Sequence, residues 1–176
     1  MSLPERSRAG VEDALADLAA EYGEFETVER ETSLPLSAYR SAVERFEAGR
    51  VGGASAWLTD GAGAVLLVRR NGGDAWTDPG DTQRPGEALP ETAQRAVADQ
   101  TGLTADLTGV VQARVFEYTP TARDRPAVTV LTVVFAGTAA GDPHPRPDDD
   151  AAWWATPPDR VGYEDMRSFP FPSSRT

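Results

Sequence analysis

The 176-residue chain contains no cysteine, no lysine and no isoleucine, and it has a single asparagine, Asn71, and a single histidine, His144. Without cysteine there is no disulfide framework, no thiolate nucleophile and no sulfur ligand for zinc. A Ser-His-Asp triad would have to use His144, which stands in a proline-flanked PHPR stretch and reads as solvated loop. Lysine, isoleucine and asparagine are the residues with AT-rich codons, so their joint scarcity points to a GC-rich coding sequence rather than to a binding site. All 17 basic residues are consequently arginine, which is also the better fork for phosphate. Long apolar runs are missing too. The most apolar stretch, PAVTVLTVVFAG at 126–137, falls well short of the roughly 20 residues a membrane helix needs, and its Val and Thr content marks a buried strand. The N-terminal MSLPERSRAG has no apolar segment of the kind a secretory leader carries, so a cytoplasmic protein is expected.

Positive charge is scarce as well. A net charge of -11 and a pI near 4.5 argue against nucleic acid or an anionic membrane as the partner, because both need a basic face. Such acidity in a well-patterned chain suggests a salt-adapted protein. In molar salt the screening length is only about 3 Å, so the bulk charge does not exclude a phosphorylated small molecule.

With 40% apolar residues the chain has enough to build one core. Residues 10–50 predict two short helices. Val11, Leu15, Leu18 and Tyr22 make the apolar stripe of the first; Tyr39, Val43 and Phe46 make that of the second, with Ser37 as N-cap and Gly49 as stop. These stripes cover either the main sheet or a partner copy in a homodimer. From Gly53 the period changes to that of strands. ASAWL at 54–58 and AVLLVRR at 64–70 predict a hairpin turning at Asp60 and Gly61. A helix from Leu89 to Thr101 follows, with Pro90 in its first turn and Gly102 closing it. Further strands are predicted at 110–118, 127–136 and 151–155, and a short helix near Pro158–Tyr163. The Pro- and Ser-rich SFPFPSSRT at 168–176 reads as a frayed end.

The segment GDTQRPGEALPETAQRAVADQTGL at 80–103 carries the chemistry. It resembles the signature of the Nudix family: a Gly, five residues, a Glu, seven residues, then Arg-Glu-apolar-any-Glu-Glu-any-Gly-apolar. The frame holds without a gap at Glu87, Arg95, Val97, Gly102 and Leu103. It fails where Asp81 replaces the Gly, Ala96 the first helical Glu and Gln100 the last, while Asp99 is a shortened substitute for the remaining Glu. The hairpin before the segment and AAWWATPPDRV at 151–161 are similar to the family's flanks, so the resemblance covers roughly residues 52–163.

The resemblance implies an α+β fold, a Nudix-like α/β/α sandwich with a mixed sheet over residues 52–163, preceded by an N-terminal helical extension at 1–51 and followed by a flexible tail at 164–176. It implies hydrolysis of a nucleoside diphosphate linked to another moiety, dependent on Mg²⁺ or Mn²⁺. Cleaving a diphosphate calls for a divalent ion held by hard oxygens. Glu at positions 96, 99 and 100 would lie on one helix face, but here the metal ligands implied are only Glu87 and Asp99, a weak site. Asp150, in the DDD run at 148–150, is the candidate third catalytic acid, although such a run also reads as solvated loop; Glu117 is a weaker one. Arg69, Arg70 and Arg95 are candidates to grip the substrate, and Arg114, Arg123 and Arg125 could serve likewise. Arg95 has lost the Glu it would orient, so an ion pair with Glu91 or Asp99, four residues away, is a simpler reading. Trp76, Phe116, Tyr118 and Trp153 could stack on a base or belong to the core. Two functions remain open: a weakened hydrolase, or an inactive module that binds a nucleotide or a protein.

Overall fold

Every strand among the described residues joins one mixed sheet, and the sheet's two faces are covered by different parts of the sequence. The computed structural model describes residues 1–121 and 124–172. The elements in order are α1 (Leu3–Tyr22), β1 (Glu26–Leu34), α2 (Leu36–Glu47), β2 (Gly52–Thr59), β3 (Val65–Arg69), β4 (Gly80–Thr82), α3 (Leu89–Thr101), β5 (Asp106–Pro120), β6 (Val128–Thr138) and β7 (Asp150–Trp154), then a 3-10 turn at Glu164–Ser168. The strands run β1-β5-β6-β2-β3-β7, with β4 also paired to β2. β1 with β5 and β2 with β6 are parallel; the other pairs are antiparallel.

Strand alternation sorts the core into two layers. Ala54, Ala56, Leu58, Leu131, Val133 and Phe135 point to one face, where Val11 and Leu18 of α1 and Leu89, Ala93 and Val97 of α3 cover them. On the opposite face Trp57, Leu67 and Val134 meet Met166, Phe169 and Phe171, while Val128 packs under Tyr39 and Ala42 of α2. The result is the expected helix-sheet-helix sandwich.

The hairpin forms around Asp60, whose Oδ1 accepts from the N–H groups of Ala62 and Ala64 at 2.9 Å. Only Thr59 and Val65 pair across it. β2 then takes β4 as its neighbour over Gly53–Ser55, and β3 takes β7. The close approach of β4 to β2 requires Gly80, since a Cβ there would lie 2.6 Å from Ser55 Cβ.

Several expectations need correction. The N-terminal 51 residues are not helical alone: ETVERETSL at 26–34 is a strand paired over nine residues with β5. The first helix begins at Leu3, capped by Ser2, whose Oγ accepts from the Glu5 N–H. α2 starts after Pro35, so Ser37 is inside the helix and not its cap. The short helix near 158–163 lies instead at 164–168. The tail is docked: Trp57 meets the rings of Phe169 and Phe171 edge-on, each at 5.2 Å, and its Nε1 donates to Pro170 O at 2.7 Å. Of the segment read as frayed, residues 173–176 lie outside the described residues. Among the described residues no helix is long and apolar enough to cross a membrane.

Candidate functional site

α3 begins and ends as its sequence dictates, with Pro90 in the first turn and Gly102 at φ 73° in the left-handed conformation that a side chain would strain. The Ala88 N–H, free at the helix start, is taken by Glu91 Oε1 at 3.0 Å. Glu91 is therefore a cap for its own helix, not the partner of Arg95.

Arg95 reaches back to the loop. Its Nε donates to Glu87 Oε2 at 2.7 Å and its Nη2 to Glu87 Oε1 at 3.0 Å, while Nη1 donates to Asp81 Oδ2 at 3.0 Å and Nη2 also to Thr82 O at 3.0 Å. Thr92 Oγ1 and the Arg84 N–H add bonds of 2.7 and 3.0 Å to Glu87 Oε1. The Arg95 fork holds the Glu87 carboxyl down to about 2, against the opposing effect of burial and with help from the Arg84 N–H and Thr92. The same contact raises Arg95 further. Asp81 is also lowered: burial pushes it up, but the bonds from Arg95 and the Thr82 N–H outweigh that. Glu87 is thus saturated with protein donors, and Arg95 fixes the loop.

The rest of the would-be carboxylate face differs in kind. Ala96 is 1% exposed and contributes no oxygen, and Gln100, also buried, donates from Nε2 to Gly80 O at 2.9 Å. Gln100 Oε1 is left buried without a partner. Gly80 O receives a second donor, Arg70 Nη2, at 2.8 Å. Asp99 is exposed and lies 3.9 Å from both Arg84 and Arg95.

Asp150 does not join them. It binds Arg69 across the β3–β7 pair, Nη2 to Oδ2 at 2.8 Å and Nε to Oδ2 at 3.0 Å, and Arg69 in turn lies over the Trp76 ring at 4.8 Å. Neighbouring Asp149 accepts from the Asn71 N–H at 2.9 Å. The strand register that sets Arg69 opposite Asp150 is the reason, since each satisfies the other. Among the described residues no three His, Asp or Glu side chains form a group able to hold a metal ion. A Mg²⁺ or Mn²⁺ ion needs several hard oxygens, and here one carboxylate is spent on Arg95 while the Gly80 carbonyl faces a guanidinium. The residues present do not fit a divalent ion.

What the structure does assemble is a cleft of about 460 Å³ on the α2 side of the sheet. Arg45 from α2, Arg70 beyond β3 and Arg114 from β5 line it, with Gly52 and Gly53 of β2, Gly80 and Asp81 of β4, and Tyr118 and Tyr163. Asp78 is at its edge, 4% exposed, accepting from Ser55 Oγ at 2.5 Å, Tyr163 Oη at 2.8 Å and Thr77 Oγ1 at 3.0 Å. Burial pushes the Asp78 carboxyl up, only partly offset by those hydroxyls and by Arg114. Burial beside Asp78 likewise raises Tyr163. Arg114 stacks 4.0 Å over the Tyr163 ring, and its Nε is buried with no hydrogen-bond partner.

Of the candidate substrate arginines, Arg70 is therefore in the cleft, whereas Arg69 and Arg95 are committed to acids. Arg123 lies outside the described residues. Phe116 and Tyr118 stack on each other at 5.5 Å, and Trp153 donates to Gly141 O at 2.8 Å while packing on the core. Arg45, Asp78 and Tyr163 escaped the sequence reading. The only local signal was the Asp78-Pro79 turn, because α2 and the C-terminal segment reach the cleft through tertiary packing alone.

A family model described as NUDIX domain matches residues 49–173. Among solved structures, a MutT protein from Methanosarcina mazei Go1 is 25% identical with a TM-score of 0.45, the match covering 58% of this chain and 74% of the other. A MutT NUDIX hydrolase from Burkholderia pseudomallei is 21% identical with a TM-score of 0.47, covering 67% and 94%. A UDP-X diphosphatase is 18% identical with a TM-score of 0.47, covering 62% and 53%. No curated protein matches the chain.

Proposed function

Since the chain belongs to the Nudix family, we propose that it binds a small nucleotide derivative, a nucleoside diphosphate joined to another moiety, and that hydrolysis of the diphosphate is reduced to a slow residual activity. The observation that carries this reading is the Gln100–Gly80 hydrogen bond beside buried Ala96, which puts an amide and a methyl group where the family signature has two carboxylates. Removing one preorganised catalytic group costs about 10² to 10³ in rate. Two such losses reach roughly 10⁴ to 10⁶ if additive, and less when groups cooperate. The cleft survives those losses, and its volume suits a ligand of nucleotide size. Asp99 is the one carboxylate of the helix face left to take part in the residual activity. A cytoplasmic, high-salt setting agrees with the composition.

The test is a titration and turnover assay with ADP-ribose, NADH, diadenosine polyphosphates and nucleoside triphosphates in KCl buffers with Mg²⁺ or Mn²⁺. Binding is expected with slow release of nucleoside monophosphate, abolished in Asp99→Asn and accelerated by at least about 10² in the double variant Ala96→Glu, Gln100→Glu. Fast turnover by the natural chain, or no binding to any compound, would sink the reading.

A further inference from the structure

We propose that the cleft binds the phosphates of its ligand directly through the guanidinium groups of Arg45, Arg70 and Arg114, with no divalent metal between protein and phosphate. The inference rests on the diphosphate-binding reading above and specifies how that ligand is held.

Three observations lead to it. First, the cleft's arginines form no close ion pair, although Arg114 acts on Asp78 and Arg70 on Asp81 at longer range. Elsewhere several arginines of this acidic chain find carboxylates, among them Arg6 with Glu47, Arg69 with Asp150 and Arg160 with Asp74, while the unpaired Arg40, Arg50, Arg125 and Arg146 do not share a cleft. Among the described residues Arg45, Arg70 and Arg114 make no such pair, although acids outnumber arginines 28 to 17. Three like charges at one cleft repel, and an anion between them removes that cost. Of the two acids at the cleft, Asp81 is engaged by Arg95, and Asp78 is enclosed by three hydroxyls.

Second, two of the three arginines are held ready. Arg70 is anchored by Gly80 O at 2.8 Å, and Arg114 is stacked on Tyr163 at 4.0 Å, leaving its edge for hydrogen bonding. Tyr163 is itself fixed by Asp78 at 2.8 Å. A guanidinium positioned by carbonyl and ring loses little freedom on gripping a phosphate.

Third, the place that would hold a cation already contains a cation. Gly80 O, next to position 100 of the helix face, receives Arg70 and Gln100 Nε2 together. A divalent ion there would meet the Arg70 charge at close range. Arginine thus does by direct contact the charge neutralisation for which the family signature supplies carboxylates and metal.

The experiment is calorimetric titration of the full chain with inorganic pyrophosphate and, separately, ADP-ribose, each at fixed KCl in EDTA and again in Mg²⁺. Pyrophosphate is expected to bind in EDTA, with no tightening in Mg²⁺. Arg45→Ala, Arg70→Ala and Arg114→Ala should each weaken binding by about 10-fold or more, the usual worth of a charged hydrogen bond. Arg114→Lys should recover part of the loss, and Arg40→Ala, an exposed position on α2, should change nothing. Matching thermal melts separate lost binding from lost folding. Pyrophosphate or ADP-ribose binding only in Mg²⁺, or binding in EDTA indifferent to all three alanines, overturns direct contact while leaving the diphosphate reading intact. If neither compound binds under either condition, both fall.

Discussion

Arg95 and Glu87 share two hydrogen bonds, Nε to Oε2 at 2.7 Å and Nη2 to Oε1 at 3.0 Å, and the pair joins the middle of α3 to the loop that precedes it. Both side chains are mostly shielded, at 14% and 12% exposure. Glu87→Gln would leave Arg95 with Asp81 as its close acid partner and is expected to cost about 2 to 3 kcal/mol, toward the lower end for breaking a shielded pair. For a chain of this length that is roughly 5 to 10 °C in Tm.

The same pair has a pH signature. Glu87 lies at about 2 when folded and near 4.5 otherwise. Its contribution is present above the ordinary value and is lost as pH falls through about 2. The Tm difference between the natural chain and Glu87→Gln should therefore shrink steadily between pH 5 and pH 2 in a melting series. A constant difference would show that the carboxylate charge does not contribute.

Asp78 should behave in the opposite sense. Its folded value is raised by burial, against Ser55, Tyr163, Thr77 and Arg114. Stability from the neutral carboxyl is complete below the ordinary carboxylate range and declines as pH rises through the folded value. Asp78→Asn stays neutral, so its stability relative to the natural chain should improve as pH increases. Asp78→Ala strands three hydroxyls and should cost about 2 kcal/mol or more at any pH. Urea titrations at several pH values decide both.

Phe169 and Phe171 are 6% and 5% exposed. Replacing either with Ala is expected to cost about 3 kcal/mol, the lower end for a buried Phe. A loss below 1 kcal/mol in urea unfolding would restore the frayed-end expectation.

The net charge of -11 predicts that Tm climbs as salt rises. Between about 0.1 M and 1 M KCl the screening length falls from about 10 Å to about 3 Å, which removes most repulsion between surface acids. A flat melting temperature across that range would show that the acidity has another origin.

How much of this was legible in the sequence depends on whether a residue's role is local. α3 was, down to Leu89 and Thr101, because Pro90 and Gly102 are local instructions and the apolar spacing was regular. The hairpin was, because Asp60 makes its turn from its own side chain. β1 was not: ETVERETSL is almost wholly exposed, shows no alternation, and becomes a strand only by lying beside β5. The tail misled because two phenylalanines among prolines carry a composition that says disorder, while their partner Trp57 is more than a hundred residues away. In the site, the missing carboxylates at 96 and 100 were visible. What replaced them was not, since the Arg70–Gly80–Gln100 contact joins three separate elements.

The polar strand that the sequence hid also guards the sheet's border. β1 is its outermost member on one side, and it shows solvent Glu26, Glu29, Arg30 and Glu31. An intruding strand from another molecule, seeking the unpaired backbone there, would have to press against mixed charges and desolvate them. Without β1, that border would be β5, and its unpaired backbone would invite self-assembly. A segment that contributes no lining residue to the cleft thereby covers the edge that β5 would otherwise leave open.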